Sequence, residues 1–178
     1  MSDDAIALVA SDPGWPAAYA LARDEILALL PTQPLLIEHI GSTAVPGLMS
    51  KPVIDIIVLV VDMAPAREAM PHLQRIGYEF RPDVSNPARL FLRRYGPDGV
   101  RTHHLHIHTE HDDVRRHLLF RDRLRADAAV RQDYEALKRD LALRHAGDRE
   151  AYAKGKDGFV DAVVRAAGGP ERRPFWKA

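Results

Sequence analysis

LLIEHIGSTAVPGLMSKPVIDIIVLVV, residues 35 to 61, is the stretch on which the fold turns. An apolar run breaks at Gly41-Ser42, passes Pro46-Gly47 and Lys51-Pro52, and resumes as a second apolar run from Val53 to Val61. Both faces of that second run are apolar except at Asp55, the pattern of a strand covered on both sides, and it is the candidate for the central strand of a sheet. Residues 35 to 40 form a shorter strand, with Leu35 and Ile37 on one side and Glu38 and Ile40 on the other. A lone carboxylate among β-branched residues is costly to bury unless it is paired or takes part in chemistry. Asp55 therefore either fixes the preceding loop through hydrogen bonds or belongs to a functional site.

Toward the N-terminus, Asp12-Pro13 places a capping acid before a proline at the first position of an amphipathic helix in which Trp15, Tyr19, Ala22, Ile26 and Leu29 share a face, ending near Pro31. Toward the C-terminus, Pro65 opens a helix that Gly77 stops, and GYEF (77 to 80) is a short strand. RLFLRRY (89 to 95), the turn Gly96-Pro97-Asp98-Gly99 and VRTHHLHIHT (100 to 109) make a hairpin. Alternation puts His103, Leu105 and Ile107 on one face of its second arm and His104, His106 and His108 on the other. From Asp112 or Asp113 onward the pattern is helical. One helix runs through HLLFRDRLRAD, a second carries Val130, Tyr134, Leu137 and Leu141, and a third follows Gly147-Asp148 and closes at Gly168-Gly169-Pro170. The tail ERRPFWKA has two aromatics and no periodicity, which makes it a loose end or a docking strand. The expected fold is one α+β domain over residues 1 to 178, a mixed sheet with flanking helices and a C-terminal helical layer.

Lys plus Arg and Asp plus Glu both number 25, which argues against a general nucleic-acid surface driven by net charge. Cysteine is absent, so disulfides, thiolate metal sites and thiol nucleophiles are excluded, and any metal must be held by His, Asp or Glu. With no basic-then-apolar leader and no apolar run as long as a membrane span, a soluble cytoplasmic protein is expected. Its partner would be a small phosphorylated molecule, and the oligomeric state is open.

Several residues of this pattern can carry chemistry. Gly41 lets backbone approach a ligand closely and Ser42 can donate to phosphate oxygens, although the commoner role of such a dipeptide is a turn with Ser42 as a cap. Lys51 and then Asp55 follow, so a phosphate cradle, a cation and a metal-binding carboxylate lie on one segment. HHLHIH can hold Zn, Ni or Fe, yet alternate strand positions stand wide apart for one ion, and the plainer role is hydrogen bonding to phosphates or to Asp55 and Glu38. His104 and His106 are the catalytic or metal-ligand candidates with Asp55; His103 and His108 take the plainer role. Arg101, at the head of the His strand, and Arg121, in Arg121-Asp122-Arg123, are candidate phosphate-binding cations, against the ordinary reading of a solvated helix face for the latter. A Ser42-His-Asp55 triad lacks a G-x-S-x-G elbow, and no Walker phosphate loop occurs.

The stretches IEHIGSTAVPGLMSKPVIDIIV (37 to 58), GYEF, RTHHLHIH (101 to 108), HLLFRDRLRAD (117 to 127), YEALKRDLA (134 to 142) and AYAKGKDGFV (151 to 160) resemble the GrpB family, also called UPF0157. That family looks like a branch of the nucleotidyltransferase superfamily that includes polymerase β-like enzymes. The resemblance implies a Gly-Ser turn at Gly41-Ser42, a first metal-binding carboxylate at Asp55, Mg²⁺ or another divalent ion, and a nucleoside triphosphate as substrate. It places the second carboxylate at Ile57, which is no ligand, with His104 or His106 in the third position. The implied function is nucleotide binding with transfer of a nucleoside monophosphate to a small acceptor; a binding or regulatory module without turnover and a His-based metal-dependent hydrolase are the alternatives.

Overall fold

The computed structural model describes residues 6 to 173, so the last five residues of the aromatic tail lie outside the described residues. β1 (Leu36–Ile40), β2 (Ile54–Leu59), β3 (Tyr78–Phe80), β4 (Arg89–Tyr95) and β5 (Arg101–His108) form one mixed sheet in the order β1-β2-β5-β4-β3. β2 runs antiparallel to β1 and parallel to β5, while β4 runs antiparallel to both β5 and β3. The strand expected at the centre, β2, lies one place off it: β5, the second arm of the hairpin, holds the middle position between β2 and β4. β2 is nonetheless interior, and this accounts for its continuous hydrocarbon.

Residues of β2, β4 and β5 that alternate away from Asp55 meet the first helical layer. Ile54, Ile56, Val58, Leu90, Leu92, Leu105 and Ile107 pack with Trp15, Ala22 and Ile26 of α1 (Trp15–Leu29), with Met63 and Ala66 of α2 (Met63–Glu68), and with Leu73 of α3 (Met70–Arg75). Each such side chain stabilises the fold by about 1.5–3 kcal/mol relative to an exposed one. The expected single helix after Pro65 is two: Asp62, not Pro65, caps α2 by accepting from the Ala64 N–H at 3.0 Å, and Pro71 sits at the start of α3.

α4 (His111–Ala126) crosses the opposite face, where Val114 and Leu118 cover Ile40, Ile57 and Leu59. Neither Asp112 nor Asp113 caps it; they lie in its first turn, after Glu110, and favour the positive end of the helix dipole. Asp127 caps α5 (Ala128–Arg144) by accepting from the N–H groups of Ala129 and Val130. The third expected helix is interrupted at Gly155, giving α6 (Arg149–Lys154) and α7 (Asp157–Ala166). Gly155 packs against Leu141 of α5 so closely that a Cβ there would overlap its side chain. Tyr134, Leu124, Phe120 and Phe159 from these helices enclose Val45 and Leu48, so the C-terminal layer closes over the loop between β1 and β2.

Candidate functional site

Strand register assembles the site. Ile40, Asp55, His104 and Arg93 lie in one row across four strands, and Glu38, Ile57, His106 and Phe91 lie in the next usable row. Parallel pairing sets Asp55 directly beside His104, which resolves the spacing problem of the His strand. The two imidazoles do not need to meet each other, since a carboxylate from the neighbouring strand stands between them. His104 Nδ1 donates to Asp55 Oδ1 at 2.8 Å, and His106 Nε2 lies 3.9 Å from the same oxygen. Phe91 packs on both rings, with centroids at 5.2 and 4.8 Å.

Three groups outside the row fix these rings and the loop before Asp55. Arg89 Nη2 donates to His106 Nδ1 at 3.3 Å. His39, stacked on Tyr19, bonds Thr43 Oγ1 through Nε2 at 3.0 Å, and Thr43 in turn donates to the Val53 carbonyl at 3.1 Å. The thirteen-residue excursion from β1 to β2 is thereby pinned near both ends. Gly41 adopts φ 70 and ψ −169, a region that glycine alone occupies comfortably. A Cβ at Gly41 would collide with Asp55 Oδ2 and stand 3.1 Å from its Cβ and Cγ, so the missing side chain is what admits the carboxylate against the turn. Ser42 does not cap the short helical turn it opens; its hydroxyl pairs with Tyr134.

Burial would push the Asp55 carboxyl up, but the hydrogen bonds from His104 and His106 outweigh it and hold Asp55 below the usual carboxylate range. Burial also keeps the imidazoles neutral, lowering His106 to about 4 against the pull of Asp55. One carboxylate oxygen and two imidazole nitrogens thus lie within 4.8 Å of one another, a ligand set for an ion.

Two lysines lie within electrostatic reach of Asp55. Lys51 lies over the Tyr152 ring at 5.0 Å and Lys156 over the same ring at 4.5 Å. Burial, then the charges of Lys156 and Arg149, bring Lys51 down to about 8, while Asp55 opposes the fall. Lys156 is likewise lowered by burial and supported by Asp55. Arg101 lies mostly buried over the Tyr95 ring, and its charge bears on both Lys51 and His104. Arg121 has different work from a phosphate clamp. Its guanidinium bonds Glu38 at 2.7 Å, Asp122 at 2.7 Å and the His39 carbonyl at 2.9 Å, tying α4 to β1 with its charge already matched. His103 turns to the other face beside Thr102 and Tyr78, and His108 lies beyond the site next to His117 and Asp113.

Lys156, Tyr152 and Arg89 are among the site residues that sequence reasoning did not assign to the site. Their signal was faint: Lys156 stands in AYAKGKDGFV, a stretch quoted for family likeness, and nothing local to it points at a strand a hundred residues earlier.

Among the described residues no helix is long and apolar enough to cross a membrane. The five-stranded sheet and its helices are similar to Cid1 poly(U) polymerase with Mg 3′-dATP bound, at TM-score 0.55 and 15% identity over 83% of this chain and 49% of that one, a likeness of fold. The crystal structure of the conserved protein GrpB from Enterococcus faecalis matches at TM-score 0.82 and 33% identity, covering 90% of this chain and 96% of that one. A UPF0157 protein of Pseudomonas aeruginosa is 38% identical over 175 residues, 97% of this chain and 72% of its own length. The sequence profile of the GrpB protein family matches residues 5 to 166. With its α+β nucleotidyltransferase-like sheet, this chain belongs to the GrpB family.

Proposed function

We propose that the chain binds a nucleotide through its phosphates over Asp55 and transfers the nucleoside monophosphate to a small acceptor. The observation that carries this reading is the Gly41-Ser42 turn closed against the Asp55 carboxylate, with Lys51 and Lys156 together over the Tyr152 ring and within electrostatic reach of that carboxylate. A carboxylate alone would repel phosphate. Asp55 would hold a divalent ion, whose charge together with that of the two lysines would reverse that sign and neutralise charge on the phosphate oxygens. Both lysines are already partly dehydrated, so they surrender less hydration on meeting an anion than a solvated lysine does. In the transfer, an acceptor hydroxyl gives up its proton to water and its oxygen bonds to the α-phosphorus as the bond to the bridging oxygen breaks, and pyrophosphate leaves with the electron pair.

A second reading, binding without turnover, is favoured by one residue. Ile57 is fully buried against Ile40, Leu59 and Val114, so the strand offers no second carboxylate to a two-metal transfer. Calorimetry with ATP, UTP and Mn²⁺ on the wild type, Asp55→Asn and Lys156→Met tests the binding. Micromolar affinity in the wild type, lost in Asp55→Asn and weakened about tenfold in Lys156→Met, is expected, equivalent to the 1.4 kcal/mol of one modest charge-assisted hydrogen bond. Heat-silent titrations for every nucleotide with the wild type would overturn both readings, while binding without pyrophosphate release would select the second.

A further inference from the structure

The donors around Asp55 do not match the magnesium pair that the fold implies. Magnesium takes oxygen ligands in near-octahedral geometry. Hydrocarbon fills the place of a second carboxylate at Ile57, and what faces Asp55 is nitrogen. We propose that Asp55, His104 and His106 take a single divalent ion of the imidazole-binding class, Mn²⁺, Fe²⁺, Co²⁺ or Zn²⁺, in preference to Mg²⁺. This assignment rests on the phosphate-site reading above and names the ion that serves it.

Geometry supports one ion. Donor atoms about 2.1 Å from a metal stand roughly 3.0 Å apart at right angles and roughly 3.4 Å apart at the tetrahedral angle. Asp55 Oδ1 is 2.8 Å from His104 Nδ1 and 3.9 Å from His106 Nε2, distances that straddle those values. Gly41 packs against Oδ2, which leaves Oδ1 as the oxygen turned toward the imidazoles. Imidazole nitrogen beside carboxylate oxygen suits first-row transition ions.

Arg89 then acquires a positioning role. A guanidinium only donates, so the Nδ1 of His106 that accepts from Arg89 carries a lone pair, and the neutral ring keeps its proton on Nε2, facing Asp55. Without an ion, the N–H of His104 Nδ1 and that of His106 Nε2 both point at the carboxylate. An ion held by both nitrogens would displace both protons: that of His104 would move to its Nε2, while the nearby Arg89 cation opposes relocation of the other to His106 Nδ1. Arg89 thus aims the ring and at the same time lowers the affinity of the site for its ion.

The test is a Co²⁺ titration of the full chain after chelator treatment, without nucleotide, followed by ligand-field absorption and competed with Mg²⁺, Mn²⁺ and Zn²⁺. One ion per chain is expected, not displaced by a hundredfold excess of Mg²⁺ but displaced by Zn²⁺. His104→Ala and His106→Ala should each weaken Co²⁺ by at least about tenfold, on the scale that even outer partners of metal ligands reach. Arg89→Gln, whose amide oxygen can accept from Nδ1, should tighten it. Urea midpoints show that each variant is folded, with His106→Gln replacing the alanine variant where it is not. Two ions per chain, displacement by equimolar Mg²⁺ or a spectrum indifferent to His106 overturns the assignment; weaker Co²⁺ binding by Arg89→Gln removes His106 from the ligand set. Nucleotide binding with Mg²⁺ alone would sink only the ion, whereas intact Co²⁺ binding without nucleotide binding would sink only the function.

Discussion

Replacing Gly41 with alanine should damage the site twice over, and the two effects can be separated. The backbone at Gly41 has φ 70 and ψ −169, so a Cβ costs about 1–3 kcal/mol of conformational strain. The same Cβ overlaps Asp55 Oδ2, and the carboxylate must withdraw by on the order of 1 Å to restore an ordinary contact. Displacements of that size in a constellation of ligands cost roughly a hundredfold in function. Gly47 supplies the control, since it has φ 77 but nothing within 4 Å of a built Cβ. Urea denaturation and Co²⁺ or nucleotide calorimetry on Gly41→Ala, Gly47→Ala and Asp55→Ala, with the Gly41→Ala/Asp55→Ala double variant, form a double-mutant cycle. Both glycine variants should lose stability, but only Gly41→Ala should lose ligand affinity, and part of its stability loss should vanish when Asp55 is already alanine. Equal ligand binding by Gly41→Ala and the wild type, or a stability loss at Gly41 that ignores Asp55, would refute the close approach as the reason for the glycine.

Three further outcomes are expected. Burial holds His39 at about 4, His106 at about 4 and, with the charge of His106 beside it, His108 at about 2. The unfolded chain therefore binds more protons below pH 6.5, and stability falls with acidification; three such groups remove up to about 5 kcal/mol between pH 6.5 and 5, readable in urea midpoints. Flat midpoints across that range would show that the imidazoles are charged in the fold. Arg121→Ala should cost about 2 kcal/mol of stability through its lost charge-assisted bonds while leaving nucleotide affinity unchanged, and reduced affinity at unchanged stability would restore it as a phosphate ligand. Asp127→Ala removes the cap of α5 and should cost about 1 kcal/mol in the same denaturation assay.

Local pattern made the strands and the hairpin legible because pleat alternation and turn residues act within a few positions. Leu105 and Ile107 opposite His104 and His106 follow from period two alone. Asp55 stood out for the same reason, as one charge in a run that has no polar side. What local pattern could not contain is the partner of each strand. Asp55 and His104 are far apart in sequence, and their adjacency depends on a parallel pairing that no turn signal announces. Lys156 was hidden for a related cause: its position depends on a helix break at Gly155, a residue whose missing side chain makes room for Leu141 of another helix. The anchoring of Arg121 was hidden because, besides its helix neighbour Asp122, its partners Glu38 and the His39 carbonyl come from β1. The caps were misjudged for want of local signal: Asp62 and Asp148, not singled out as caps, serve α2 and α6, while Asp112 and Asp113 are left in the first turn of α4 behind Glu110.

The parallel seam between β2 and β5 has a thermodynamic consequence. Whatever binds Asp55 and His104 together clamps two strands whose separation means opening the middle of the sheet, so local release of the ligand set and loss of the whole fold become nearly the same event. A ligand at tenfold to a thousandfold over its dissociation constant then adds about 1.4–4 kcal/mol to global stability. Amide exchange in β2 and β5 should slow together on binding, which makes the sheet itself the reporter for finding what this protein holds.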